Sequence, residues 1–280
     1  VFFALLLITI QPSHAAQYLY DDFSASPIDL DKWTFDNPSS IWGCYDVVKD
    51  IVSGVYVSKI RSDREYARTR LMTQDLSFTS CQVDMKLSDP RPMSTANNTE
   101  VEAEFSAKFY NMSSASPSGN TGNVLGAIEL QYGSNGLEAI WYVLEALNDD
   151  LSNFNLLDSG TLVPAGSLNF DQLYTASMSY NSADDEITFE MAGQQAVAGS
   201  LPEYKGPAYA QRIFLLNTIN SDLEGVVRST EAAFDNLLSD GSPYQDFQAA
   251  LLDPSKWFDL GLTRWIEYEA LALSIQGQDY

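Results

Sequence analysis

The stretch Glu100-Val101-Glu102-Ala103-Glu104-Phe105-Ser106-Ala107-Lys108-Phe109-Tyr110 decides the fold. Val101, Ala103, Phe105, Ala107 and Phe109 alternate with Glu102, Glu104, Ser106 and Lys108. A period of two is that of a half-buried β-strand, because successive side chains leave opposite faces of the pleat. The same alternation runs through Cys81, Val83, Met85 and Leu87, and through Ile187, Phe189 and Met191. Val47 to Asp50 and Val55 to Ile60 flank Ser53-Gly54, a hairpin signal. Leu137 to Ala146 has a composition that also suits a helix. It reads as a strand, because β-branched and aromatic residues fill its middle and strands surround it.

Polar turns separate these runs: Ser113 to Gly122, Asn148 to Asn155, and Asn181 to Asp185. Many strands broken by such turns predict an all-β protein, a two-sheet antiparallel sandwich of jelly-roll size.

The N-terminal Val1 to Ile10 is an apolar run, broken by Gln11-Pro12-Ser13 and followed by His14-Ala15-Ala16. Residues 1–16 read as a truncated secretory signal peptide, too short for a membrane span; a buried N-terminal strand is the competing reading. An exported protein without membrane insertion is expected. His14 is the only histidine. Its loss with the signal would exclude Ser-His-Asp and Cys-His catalysis and any histidine-based zinc site. Carboxylate chemistry, oxygen-bound cations, or no catalysis remain. Cys44 and Cys81, the only cysteines, form an even pair that suits a disulfide worth about 4 kcal/mol; two buried thiols are the alternative.

With 38 acidic and 15 basic residues the chain carries a net charge of −23. That disfavours nucleic acid and anionic lipid as partners, since both need a basic surface.

Tyr20 to Trp33 and Tyr244 to Trp257 align without a gap and share Tyr, Asp, Phe, Ala, Asp, Lys and Trp. Between them Ser239-Asp240-Gly241-Ser242-Pro243 has linker composition. Residues 17–240 therefore read as one complete module and 241–280 as the start of a second, incomplete copy of a longer repeat protein. The alternative is a tail that packs on the first module as an extra hairpin. Trp33 and Trp257 go to structure, because they recur with the opening strand.

The opening Asp22-Phe23, Asp29 and Lys32-Trp33, with the closing Ala232-Ala233-Phe234-Asp235-Asn236, resemble the first and last strands of concanavalin A-like lectin/glucanase jelly rolls. Gly54 to Lys59 and Phe109-Tyr110-Asn111 fit the same pattern. The likeness is to secreted bacterial modules of that superfamily without assigned activity. It implies an extracellular or periplasmic bacterial protein, while the fold alone leaves lectin, glycosidase and adhesion module open.

Three sites follow. Glu100, Glu102 and Glu104 share one strand face and could supply the nucleophile and general acid of a glycosidase. The related glucanases carry Glu-x-Asp-x-Glu or Glu-x-Asp-x-x-Glu there; here the middle residue is Glu, and the aromatic and glycine surround of their motif is missing. A solvated acidic face is the plain alternative, and Glu186 to Glu190 is a weaker near-match. The second site is a sugar-binding face of Glu102, Glu104, Lys108, Tyr110 and Trp141, with Tyr142 and Trp42 as further aromatics; core packing competes for each ring. The third is a structural calcium held by Asp22 and Asp235, which could equally be turn aspartates. Asn97-Asn98-Thr99 and Asn111-Met112-Ser113 match a glycosylation acceptor that would mean little in a bacterium. A non-catalytic module binding carbohydrate or a surface polymer is expected first, since tandem modules gain avidity. A polysaccharide-cleaving hydrolase and an adhesion or spacer module are the alternatives.

Overall fold

The computed structural model describes residues 46–62, 64–90, 99–222, 228–245, 257–259, 261–267 and 270–276. The expected signal peptide, Asp22, Trp33, Trp42 and Cys44 lie outside the described residues.

The first sheet contains β1 (Asp46–Val52), β2 (Val55–Ser62), β4 (Ser80–Leu87), β9 (Tyr174–Asn181), β10 (Glu186–Met191), β11 (Gln194–Ala198), β14 (Arg228–Ser239) and β15 (Ser242–Gln245). The second contains β3 (Tyr66–Thr73), β5 (Glu100–Asn111), β6 (Asn123–Gly133), β7 (Gly136–Ala146), β8 (Phe154–Val163), β12 (Gly206–Pro207), β13 (Ile213–Asn220) and β16 (Trp257–Asp259). Their orders are β1-β2-β14-β4-β9-β10-β11 and β16-β3-β13-β5-β6-β7-β8, with β15 on β14 and β12 on β5. Every pairing among the described strands is antiparallel, and the chain changes sheet repeatedly, as between β2 and β3 and between β13 and β14. This is a two-sheet antiparallel jelly-roll sandwich. A separate hairpin joins β17 (Gly261–Glu267) to β18 (Ala270–Gln276). No described helix is long and apolar enough to cross a membrane.

The core lies where the inward faces of the two sheets meet. Val101, Ala103, Phe105, Ala107 and Phe109 of β5 meet Cys81, Val83, Met85 and Leu87 of β4 in one buried cluster with Ile187, Phe189 and Met191 of β10. The alternation read from the sequence is thus the division between core and outer face. The ambiguous Leu137 to Ala146 is a strand whose Leu137, Ala139, Trp141 and Val143 turn inward. Trp141 stacks on Phe189 at 5.0 Å between ring centroids. Gly160 faces Trp141 across the β7–β8 ladder, and a Cβ there would stand 2.9 Å from the indole nitrogen. The indole occupies the space a side chain would need.

Ser53-Gly54 turns between β1 and β2 as expected, with φ of 53° and 83°. Ser239 to Pro243 is not a linker. Asp240 and Gly241, at φ of 47° and 73°, form a tight hairpin turn from β14 into β15. Paired left-handed residues are what a two-residue hairpin requires, and Asp-Gly supplies them at low steric cost. Asp240 Oδ1 also accepts hydrogen bonds from the Thr79 and Ser80 backbone amides, both at 2.8 Å. Strand β16 adds to the second sheet beside β3, so residues after 241 contribute to both sheets. Gly241→Val, which forces a β-branched residue to positive φ, is expected to cost about 1–2 kcal/mol in urea unfolding.

Cys81 is a buried free thiol, and Cys44, its expected partner, lies outside the described residues. Its place in the alternation of β4 points it into the core, where burial pushes the thiol well above its usual range.

Candidate functional site

The outer face of the second sheet carries the sites that the sequence singles out on β5. Antiparallel register sets Arg68, Thr218, Glu102 and Gln131 in one row across β3, β13, β5 and β6. The next row holds Arg70, Leu216, Glu104, Glu129 and Ile140, reaching β7. Glu104 and Glu129 are therefore directly opposite, a placement that sets Cβ atoms about 4.5–5.5 Å apart.

Glu102, Glu104 and Glu129 are only 8%, 6% and 6% exposed. Three carboxyls so withdrawn from water need compensation. Arg68 supplies part of it: Nη2 lies 3.4 Å from Glu104 Oε2, and Nε donates to Thr218 Oγ1 at 3.3 Å. Tyr142, whose hydroxyl donates to Glu129 Oε2 at 3.4 Å, is the second partner. Tyr66 lies beside Arg68, with the guanidinium carbon 5.6 Å from its ring centroid.

Protonation divides these groups. Burial pushes Glu102 up to about 7, against the pull of Arg68 and with a further push from Glu104 and Glu100. Burial also holds Glu129 well above the usual carboxylate range, with Glu102 and Glu104 adding to it. Burial raises the Tyr142 phenol strongly and the Tyr66 phenol to about 12, so both stay neutral donors. Glu104 is the carboxylate of the ion pair. The ion-paired Glu104 thus faces a carboxyl that burial pushes toward its protonated form, the environment-driven separation that acid–base chemistry uses.

Glu100 shares this face but opens the strand, is half-buried, and packs its side chain against Gly133. Glu102 and Glu104 do come together. Lys108 faces the same side but lies four residues along the strand, about 14 Å away. Its ammonium donates to Asn120 Oδ1 at 3.0 Å and to the Tyr209 carbonyl at 2.9 Å. Burial, then Arg212, draws it down to about 7. Lys108 anchors the loop before β6 instead of completing the site.

Two expected aromatics are corrected. Trp141 belongs to the core, and its neighbour Tyr142 takes the outer face. Tyr110 is also inside, 4.6 Å from the Tyr180 ring and donating to the Pro202 carbonyl at 2.6 Å. A bulge explains it: Lys108 pairs with Leu125 and Tyr110 with Val124, so Phe109 is an extra residue. Two residues opposing one turn the strand's phase, and Phe109 and Tyr110 both point inward. Sequence reading missed Glu129, Arg68 and Thr218. Glu129 carried a signal, a lone carboxylate in the apolar run Val124 to Leu130.

Asp235 lies opposite Asp84 on the other sheet, where Asn236 Nδ2 donates to Asp84 Oδ2 at 2.8 Å. Among the described residues no group of three or more His, Cys, Asp or Glu side chains could hold a metal. Asp22, the other expected calcium ligand, lies outside them.

No family model and no curated protein matches the chain. Several solved structures are similar. Bacillus licheniformis β-glucanase shares 14% identity over 72% of this chain and 92% of its own, at a TM-score of 0.40. A legume lectin-like domain from Entamoeba histolytica shares 11% over 88% and 100%, at 0.36. Scytalido-glutamic peptidase shares 10% over 82% and 99%, at 0.39. At such identities and TM-scores no residue role passes from them to this chain.

Proposed function

We propose that the outer face of the second sheet cleaves glycosidic bonds of a polysaccharide, with Glu104 as nucleophile and Glu129 as proton donor. The observation that supports it is the ion-paired Glu104 carboxylate directly opposite a carboxyl that burial pushes toward its protonated form. Carboxyls about 5 Å apart suit a retaining mechanism, and facing positions on adjacent strands, with Cβ atoms about 4.5–5.5 Å apart, allow the carboxyls that separation. Glu104 attacks the anomeric carbon while the Glu129 proton passes to the departing oxygen. Glu129, now ionised, then takes a proton from the water that releases the sugar from Glu104. Arg68 and Thr218 orient the nucleophile's side of the site, and Tyr142 orients Glu129. The placement of Tyr110 and Trp141 in the core removes two of the rings on which sugar binding without cleavage was expected to rest.

The test incubates the full chain with a panel of polysaccharides, measuring both retention on the immobilised polymer and released reducing ends. Release, with the first product keeping the anomeric configuration, is expected. Retention without release would overturn the hydrolase reading and return the protein to a carbohydrate-binding module. Neither retention nor release would favour an adhesion or spacer module.

A further inference from the structure

Behind this face, between the sheets, four buried side-chain oxygens lack a hydrogen-bond partner: Ser58 Oγ, Thr69 Oγ1, Asn217 Oδ1 and Thr230 Oγ1. Their residues are 2%, 2%, 0% and 4% exposed. Isolated orphans of this kind are rare in a folded core, because each forfeits its hydration without replacement. These four belong to neighbouring positions of the two facing sheets. Thr69 and Asn217 are register partners on β3 and β13. Asn217 Nδ2 crosses to the other sheet and donates to the Ser58 carbonyl at 2.7 Å and the Thr230 carbonyl at 3.4 Å. Ser58 and Thr230 are diagonal neighbours, opposite Ala232 and Ile60 respectively. The two donated bonds assign the amide nitrogen, which leaves Asn217 Oδ1 as the unpartnered acceptor of that side chain.

We infer that these four oxygens line a small chamber that binds ordered water, one molecule or a pair, bridging β2 and β14 to β3 and β13. The chemistry selects water over an ion. Three hydroxyls can each donate or accept, and one amide oxygen only accepts, so a water's two donors and two acceptors match four such atoms. A carbonyl-type oxygen aimed inward repels an anion. A cation would need more oxygens than these four, and it would stand beside the Lys49 ammonium. Lys49 lies opposite Ser58 in the β1–β2 register, is fully buried, and donates to the Arg70 carbonyl at 3.4 Å. Buried waters occur about once per 27 residues and make about three hydrogen bonds each, which this set supplies.

The water has a positional consequence. Thr69 lies between Arg68 and Arg70, and Asn217 between Leu216 and Thr218. Each strand that presents Arg68 or Thr218 outward is therefore tied on its inner side to the same bridge. It holds the guanidinium side of the carboxyl cluster in register with the opposite sheet.

Thr69→Val and Thr230→Val in the full chain give the test, because each conserves shape and removes one hydroxyl. A hydroxyl bound to water stabilises, so each variant is expected to lower Tm by about 2–4 °C. A dry chamber gives the opposite sign, since removing an orphaned hydroxyl relieves a cost, and a raised Tm would overturn the inference. A second reading needs no variant. The Thr69 and Thr230 methyl protons should show cross-relaxation with a slowly exchanging water, and its absence would equally defeat the proposal. A Tm that falls when sodium and potassium are replaced by choline would place a metal cation in the chamber and refute water.

Discussion

Glu104→Gln is expected to abolish sugar release, lowering kcat by about 10³-fold or more while the protein stays folded. Removing a positioned catalytic group costs on the order of 10²–10⁴ in rate, and loss of a nucleophile lies at the upper end or beyond. The fold should survive because glutamine keeps an oxygen for Arg68, which lies 3.4 Å from Glu104 and also donates to Thr218. A loss of rate alone would not separate nucleophile from proton donor, but a small anion does. Azide should restore turnover to Glu104→Ala and give a glycosyl azide of inverted configuration, because the anion attacks where the carboxylate did. Glu129→Gln should behave differently. Its deficit should be large on natural polysaccharide and small on aryl glycosides whose leaving group needs no proton. Azide acting on Glu129→Ala should instead give a glycosyl azide of retained configuration, and if the inverted azide comes from Glu129→Ala and not from Glu104→Ala, the two roles are exchanged. If neither variant changes the rate, the outer face is not the reaction site.

The strands were legible because one physical rule, alternation on a half-buried pleat, governs them throughout. Val101 to Phe109 and Cys81 to Leu87 announce which side chains enter the core, and the structure buries those side chains. What that rule cannot carry is a change of phase. The bulge at Phe109 adds one residue to β5, and nothing in the local composition marks it, so Tyr110 reads as outward and lies inward. Trp141 failed for another reason. Adjacent aromatics at 141 and 142 leave the phase to the flanking residues, and Ala139 and Val143 give the inward set to Trp141. The turn at Asp240-Gly241 was readable as a hairpin signal, but the similarity of the flanking segments drew it toward a linker. Two of the three carboxyls of the cluster, Glu102 and Glu104, were accessible from the chain. Residues two apart on one strand share a face by local geometry, whereas the juxtaposition of Glu129 with Glu104 and the reach of Arg68 to it are set by register between distant strands.

Glu102→Gln is expected to make the protein more stable at pH 8, by on the order of 3 kcal/mol, and to flatten its stability between pH 4.5 and 7. The sign follows from where the proton sits in each state. In the unfolded chain Glu102 ionises near the ordinary glutamate value, whereas in the fold burial and Glu104 raise it to about 7, and Arg68 and Thr218 offset only part of this. A carboxyl raised in the folded state contributes fully below its unfolded value, where both states are protonated. That contribution is lost as pH rises through the folded value, because the unfolded chain has already released a proton that the fold still holds. Glutamine keeps the shape and the hydrogen bonding without a proton to lose, so the variant should match the parent near pH 4 and exceed it above pH 7. Urea unfolding across that range measures it, and a Glu102→Gln protein no more stable at pH 8 would mean that the carboxyl is compensated in the fold. The same step in pH should appear in catalysis. An ionised Glu102 adds a charge beside Glu104 and Glu129, holds the Glu129 proton more tightly, and weakens it as a donor, so parent activity should decline above pH 7. Glu102→Gln should lose that decline while keeping the chemistry. A natural sequence that retains a carboxyl costing it stability at neutral pH is what a working site predicts, since reactive groups are held in environments that a purely structural face would avoid.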